Sequence, residues 1–225
     1  YIHHCDKKIV KEKHIARFDL LTPIVKAWCT ELAQEVSSLG IQIHGGMGYI
    51  EETGAAQHYR DARITTIYEG TTGIQAMDLI SRKILRDSGT ALTALHAEME
   101  ETSGLLADIE QQDIQIINQA FGSGLRCLQQ ASSWLKENYQ EDANIPGAVA
   151  VNFLMLAGTV CGGWQLAKAA QICNDKSKVD DSDFSETKII TARFYAEHMM
   201  PRTTTYLQSV RAGSTSIMSL NNEQF

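Results

Sequence analysis

One carboxylate stands where it could do chemistry. Glu69 follows a run of β-branched and aromatic residues and precedes Gly70. Such residues favour extended backbone, so the sequence predicts an extended segment over 63–68 that ends at Glu69. Ile67 and Tyr68 give the carboxylate apolar neighbours, which suit a base that takes a proton next to a carbonyl. Gly70 carries no side chain, so a ligand could approach the carboxylate closely.

A structural role for Glu69 competes with the catalytic one. Thr72 and Gln75 have the spacing of a capping box, in which two side chains satisfy free N–H groups at a helix start. A glutamate just before such a cap is stabilised by the helix dipole without any further role. At this point both roles stay open.

Three motifs around Glu69 resemble those of a known enzyme family. Residues 42–49 read QIHGGMGY, residues 59–64 read YRDARI and residues 67–75 read IYEGTTGIQ. In this order and spacing, over about residues 20–85, they resemble three successive signatures of the acyl-CoA dehydrogenase family. Residues 88–225, through their helix pattern and the stretch FYAEHMMPR, resemble the extra C-terminal helical domain of larger bacterial members. One branch of these acts on 3-methylthiopropionyl-CoA.

The resemblance implies a role for each matching position. Glu69 would take the α-proton of an acyl-CoA thioester while the β-hydrogen leaves as hydride to N5 of FAD, giving a trans-2-enoyl-CoA. Its backbone N–H would help to polarise the thioester carbonyl, and Gly70 would leave room for the thioester. The residues that would contact FAD are Gln42, Gly45, Gly46, Thr71 and Gly73. Many family members carry glutamine at the position of Gly73.

The resemblance also implies partners. The segment of Gln42, Gly45 and Gly46 matches one that touches the FAD of a neighbouring subunit, so a homodimer or larger oligomer is expected. Electrons would pass to an electron-transfer flavoprotein. A related acyl-CoA oxidase, which also carries extra C-terminal helices, would pass them to O₂ instead. The alternative from another class is a non-catalytic helical interaction module, because residues 88–225 carry no recognisable catalytic constellation.

Composition and charge narrow the class of protein. The net charge of −7 argues against binding nucleic acid, which needs a basic face, and no cluster of Lys or Arg suggests a membrane surface. The five scattered cysteines form no CxxC pair, which favours a reducing compartment and a cytoplasmic location. His3, His4 and Cys5 lie close together, but no second ligand pair follows them, so no metal site is predicted.

The beginning of the chain, YIHHCDKKIVKEKH, is typical of the interior of a longer protein. We therefore expect a C-terminal piece of a dehydrogenase. In the family FAD lies between the C-terminal helical bundle and a middle β-domain, and nothing here resembles that β-domain. The 225 residues alone are expected neither to bind FAD tightly nor to turn over acyl-CoA.

The elements that position these residues are predicted to be helices. The expected fold is all-α, with residues 1–87 forming the later helices of the family's C-terminal bundle together with the catalytic loop. Residues 88–225 are expected to form a second, roughly four-helix bundle. After a polar linker or frayed end over 1–18, the first helix is predicted to start at Thr22-Pro23, with proline at its first position. The later helices are predicted over 90–110, 113–139, 148–173 and 186–212.

Residues 145–167 contain no charged side chain and are long enough to span a bilayer. Asn152, Gln165 and several glycines dilute the segment, so a buried core helix is favoured and no membrane span is expected. The glycines, Gly158 and the pair Gly162-Gly163, are attributed to close helix packing. Further on, Pro201 is expected to kink or split the last helix.

The charged segment before Glu69 has two interpretations. Arg60, Asp61 and Arg63 could bind an anion such as a CoA phosphate, or they could form an intramolecular ion pair that fixes the segment. The ion pair is favoured, because charges removed from water usually persist as pairs. Tyr49 and Tyr59 are expected to serve packing rather than chemistry.

Overall fold

Helices make up most of the described chain. The computed structural model describes residues 8–175 and 182–224. Within these ranges the backbone forms helices and turns and no strand. The all-α prediction is therefore confirmed. The group of His3, His4 and Cys5 lies outside the described residues.

The first half of the chain contains one long helix and several short ones. Its elements are α1 (Lys8–His44), α2 (Gly46–Tyr49), a 3₁₀ turn (Glu51–Thr53), α3 (Ala55–Thr65) and α4 (Thr72–Met77), which continues as a π-helical segment (Asp78–Leu85). The second half contains α5 (Thr90–Ala107), α6 (Gln112–Asn138), α7 (Ile145–Asn174), α8 (Ser182–His198), α9 (Arg202–Arg211) and a 3₁₀ turn (Asn222–Gln224).

The helix α1 is much longer than predicted. In its described part, the segment expected over 1–18 as a linker or a frayed helix end is helical from Lys8, and Pro23 lies inside the helix instead of at its start. A proline inside a helix costs about 3 kcal/mol, because it lacks the N–H and crowds the preceding turn. Leu20 and Ile24 on either side of Pro23 are buried. Burying two such side chains contributes roughly 3–6 kcal/mol, which offsets the cost.

The helix α7 forms the centre of the core. It contacts α6, α8 and α9 and also α1 and α4. By length and composition α7 is the one described helix that could cross a membrane, but more than half of its most apolar window is buried within the protein. These contacts are typical of the core helix of a helical bundle.

The glycines of α7 allow close helix packing, as predicted. A Cβ on Gly158 would lie 2.2 Å from Cγ of Trp28 on α1. A Cβ on Gly163 would lie 2.5 Å from Sδ of Met200, which follows α8. Both distances are far below van der Waals contact, so a larger residue at either position would displace a neighbouring side chain.

Pro201 divides the last predicted helix in two. The helix α8 ends at His198, a turn covers 199–201, and α9 begins at Arg202. The predicted split is therefore confirmed. The predicted start at 186 is too late, since α8 begins at Ser182.

We predict that the buried imidazole of His96 makes the stability of the fold depend on pH. His96 lies on α5, and its Nε2 is buried without a hydrogen-bond partner among the described residues. Burial lowers the pKa of His96 from 6.5 to about 4; Glu100 opposes this shift and Lys136 adds to it. The unfolded chain therefore takes up this proton at a higher pH than the folded chain does. As far as His96 is concerned, the free energy of unfolding has its full value above pH 6.5 and decreases as the pH falls toward 4.

We expect the free energy of unfolding of the 225-residue chain to fall by ~3 kcal/mol between pH 7 and pH 4 through this one group. Urea unfolding followed by circular dichroism at several pH values measures it. The variant His96→Leu should lose most of this dependence, whereas His58→Leu at an exposed position should keep it. An unchanged pH dependence in His96→Leu would assign the effect to other groups.

Candidate active site

Glu69 lies in a tight loop between α3 and α4. Its φ is +53°, and Gly70 follows with a φ of +91°. Ser88 is the one other described non-glycine residue with a positive φ. For a residue with a Cβ, this left-handed conformation costs roughly 1–2 kcal/mol. Such a conformation persists only where the surrounding structure holds it.

The extended segment predicted over 63–68 is wrong. The helix α3 runs to Thr65, and the backbone N–H groups of Ile67 and Tyr68 both donate to the carbonyl of Ile64, at 3.0 and 3.1 Å. The helical turn thus continues almost to Glu69. Strand propensity depends strongly on neighbouring strands, and no strand is present among the described residues to pair with this run.

Thr66 ties the two ends of the loop together. Its side chain is buried, and its hydroxyl accepts a hydrogen bond from Nη1 of Arg63 at 2.5 Å. The same hydroxyl donates to the carbonyl of Arg63 at 3.1 Å. The carbonyl of Thr66 accepts from the N–H of Thr72 at 3.3 Å, which closes the loop at its base.

Lys26 of α1 holds the backbone on both sides of Glu69. Its Nζ donates to the carbonyl of Tyr68 at 3.0 Å and to the carbonyl of Gly70 at 2.5 Å. Hydrogen bonds from an ammonium group are about twice as strong as neutral ones. They hold the backbone in the turn that places Glu69 in the left-handed region.

Glu31 of α1 adds a second connection to the loop. Its Oε1 accepts from the hydroxyl of Thr72 at 2.5 Å. Sequence reasoning missed both Lys26 and Glu31, because each acts on a loop more than 40 residues further along the chain. One local feature could have indicated them. Lys26 and Glu31 are opposite charges five residues apart, and both are half-buried on a helix that also carries the buried Ala27.

The helix cap differs from the predicted one. Thr71, not Thr72, is the N-cap of α4, and its hydroxyl accepts from the N–H of Ile74 at 3.4 Å. Gln75 does not cap the helix either, since its Nε2 donates to the carbonyl of Glu69 at 3.4 Å. Because Thr71 takes the capping role, the hydroxyl of Thr72 is available for Glu31.

The carboxylate of Glu69 is exposed and has no hydrogen-bond or ion-pair partner among the described residues. Its neighbours Ile67 and Tyr68 are 48% and 49% exposed. The apolar surroundings expected for Glu69 are therefore not present within the described part of the chain. The backbone around Glu69 is thus held by hydrogen bonds, whereas its carboxylate takes no part in them.

The other implied residues fall into two groups. Gly70, Thr71 and Gly73 lie beside Glu69, whereas Gln42, Gly45 and Gly46 lie exposed around the end of α1. At 1.5 Å per residue, Gln42 lies about 24 Å along α1 from Lys26. The two groups therefore form separate patches.

Both patches have the openness that a flat cofactor needs. Within the described part of the chain, a Cβ added to Gly45 or Gly46 would meet no atom within 4 Å, and at Gly73 the nearest atom would be Oγ1 of Thr71 at 4.0 Å. The hydroxyl of Thr71 accepts from the backbone and keeps its own hydrogen for a ligand. The space at these glycines and the free hydroxyl hydrogen of Thr71 leave room and one donor for a group such as FAD. No three His, Cys, Asp or Glu side chains come together as metal ligands in the described ranges.

The charged segment before the loop forms internal bonds. Nη2 of Arg60 pairs with Oε2 of Glu51 at 2.7 Å, which agrees with the favoured ion pair, although both side chains are exposed. Tyr49 is 81% exposed, so the packing expected for it is not present among the described residues, whereas Tyr59 is 38% exposed and packs with most of its surface.

Two family models match adjoining parts of the chain. The model described as "Acyl-CoA dehydrogenase, C-terminal domain" matches residues 5–85. The model described as "Acetyl-CoA dehydrogenase C-terminal like" matches residues 85–221, which is more than half of the chain. The domain boundary predicted between 87 and 88 stays a prediction.

Curated relatives carry related names. A 3-methylmercaptopropionyl-CoA dehydrogenase of Ruegeria pomeroyi is 43% identical over 81% of this chain and 31% of its own length. A broad-specificity linear acyl-CoA dehydrogenase of Mycobacterium tuberculosis is 29% identical over 100% of this chain and 37% of its own length. A subunit of the caffeyl-CoA reductase-Etf complex of Acetobacterium woodii is 39% identical over 36% of this chain and 18% of its own length.

The chain thus spans about a third of the length of the first two relatives. Both family models, the first relative and the motifs around Glu69 agree with one another. The chain belongs to the acyl-CoA dehydrogenase family.

Proposed function

We propose that this chain supplies the catalytic base for the α,β-dehydrogenation of an acyl-CoA thioester. The observation that carries the proposal is the loop itself. A free, exposed carboxylate stands at a left-handed residue whose two flanking carbonyls are both held by Lys26. A capping glutamate would use its side chain in the loop, whereas the loop bonds of Glu69 use only its backbone.

In the proposed reaction the carboxylate of Glu69 takes the α-proton of the thioester. The backbone N–H of Glu69 has no acceptor among the described residues, so it can donate to the thioester carbonyl and stabilise the negative charge that develops there. Gly70 leaves the approach open, because it carries no side chain. FAD is the group that supplies the hydride acceptor in this chemistry.

The cofactor contacts are proposed from both patches. Thr71 and Gly73 would lie against FAD next to Glu69. Gln42, Gly45 and Gly46 would contact the FAD of a second subunit, which the separation of about 24 Å along α1 favours. A homodimer or larger oligomer follows from this arrangement.

The electron acceptor is proposed to be an electron-transfer flavoprotein, because one relative is named as a subunit of an Etf complex. An acyl-CoA oxidase that passes electrons to O₂ is the alternative. Oxygen uptake by the reduced protein distinguishes the two. The proposed location is the cytoplasm, on the grounds of the scattered cysteines, which form no CxxC pair in the sequence.

The variant Glu69→Gln tests the base. In the complete gene product that contains this chain, we expect FAD to be retained and the rate of flavin reduction by acyl-CoA to fall by about 10²–10⁴-fold, because the base is removed. Anaerobic stopped-flow absorbance with a panel of acyl-CoAs measures this rate. The matched control is Glu52→Gln, an exposed glutamate of the 3₁₀ turn. Equal bleaching in Glu69→Gln and wild type would move the base to another residue.

The variant Lys26→Met tests the support of the loop. The loss of two charge-assisted hydrogen bonds should let Glu69 leave its left-handed conformation, and we expect kcat to fall by roughly 10–100-fold. KM for acyl-CoA should change little. Lys11→Met, at an exposed position on the same helix, serves as the control. Steady-state kinetics of the complete gene product give both constants, and a wild-type kcat in Lys26→Met would contradict the role of this lysine.

A further inference from the structure

The indole of Trp28 on α1 sits in a notch of α7 that only glycines allow. A Cβ on Gly158 would lie 2.2 Å from Cγ and 2.6 Å from Cβ of Trp28. One turn later, a Cβ on Gly162 would lie 2.9 Å from Cη2 at the far end of the same ring. The two glycines therefore match the two ends of the indole. A slide of α1 along α7 would move the ring out of this space.

Tyr195 of α8 closes the notch. A Cβ on Gly162 would lie 2.6 Å from its Oη. The hydroxyl of Tyr195 donates to the carbonyl of Thr159 at 2.9 Å, which fixes the ring against α7. Three helices thus meet at Trp28.

Ion pairs join α1 to the second half of the chain at two further points. Nη1 and Nη2 of Arg202 on α9 donate to the two carboxylate oxygens of Glu35 at 2.8 and 2.6 Å. Nη1 of Arg17 donates to Oε2 of Glu98 on α5 at 2.5 Å. A two-pronged pair such as Arg202–Glu35 adds geometric specificity even where exposure limits its energy.

The same part of α1 carries the side chains that bond to the catalytic loop, which is the loop over 66–71 that contains Glu69. Lys26 lies two residues before Trp28, and Glu31 lies three residues after it. These residues hold the loop on one side, while Trp28 and Glu35 are held by α7 and α9 on the other. A helix of 37 residues transmits a displacement along its axis to every side chain on it.

We propose that α7, α8 and α9 position the catalytic loop through α1, with Trp28 in the notch as the fixed point. This inference rests on the proposed function, because the position of the loop matters for catalysis only if Glu69 is the base. Trp28, Gly158 and Gly162 are positioning residues, since none of them belongs to the loop that would meet the substrate. On this account the C-terminal helices are part of the catalytic support and not a separate interaction module.

Hydrogen exchange of the 225-residue chain tests the proposal without requiring activity. The variant Gly158→Ala should displace Trp28 and with it Lys26. We expect about tenfold faster exchange in peptides covering 66–75, where the N–H of Thr72 bonds to Thr66 across the loop and that of Gln75 bonds to Thr71 in the first turn of α4. Exchange in α6 should stay unchanged. The control is Gly104→Ala on α5, where no atom of the described residues lies within 4 Å of the added methyl group.

Two further variants keep the test decisive if Gly158→Ala unfolds. Glu35→Gln removes an exposed pair partner and should leave the fold intact while speeding loop exchange to a smaller extent; the exposed Glu12→Gln is its control. In the double variant Trp28→Leu with Gly158→Ala, the smaller side chain makes room for the methyl group and should restore the fold. Wild-type loop exchange in folded Gly158→Ala or Glu35→Gln would overturn the proposal.

A kinetic cycle in the complete gene product separates this route from a general loss of stability. If Gly158 acts through Lys26, then Gly158→Ala should lower kcat in the wild-type background but have little further effect after Lys26→Met. KM for acyl-CoA should stay constant. Additive losses would overturn the route through Lys26. An inactive wild type would instead count against the proposed function, and the exchange result on the chain would still stand.

Discussion

The candidate site depends on the two hydrogen bonds that the ammonium group of Lys26 donates to the loop. Glu69 adopts a backbone conformation that a glutamate avoids by roughly 1–2 kcal/mol. A short loop between two helices would relax to a commoner turn if nothing held it. Lys26 bonds the carbonyls on both sides of Glu69 and thereby stabilises the strained conformation itself. The stabilisation of the strained residue therefore comes from α1.

This dependence agrees with the close packing of α1 against the rest of the protein. The helix continues through Pro23 because Leu20 and Ile24 are buried around it. Its Trp28 fills a space that α7 leaves open by using glycine. A lysine that must hold two carbonyl oxygens within hydrogen-bond distance tolerates little movement of the helix that carries it. The packing of Trp28 against α7 and the hydrogen bonds of Lys26 to the loop both keep α1 at a fixed position relative to Glu69.

The sequence predicts the parts of this arrangement that are encoded locally. Apolar periodicity places the later helices, proline at 201 marks the division between α8 and α9, and the glycines of α7 indicate close packing. The loop is harder to predict. Propensity favours extended backbone where a helical turn persists, and spacing alone does not decide between two adjacent threonines as the cap. The bonds of Lys26 are invisible in the sequence because they connect positions 44 residues apart.

The front of the site is open in the described chain. Beside Glu69, the side chains of Ile67 and Tyr68 are about half exposed, and Ile74 is 61% exposed. In the proposed reaction these surfaces become covered when an acyl chain and a flavin bind, and their burial contributes about 25 cal/mol per Å² to binding. Binding then removes water from the carboxylate at the moment when it must act as a base. The loop supplies the geometry of the base before binding, and the substrate completes its apolar surroundings.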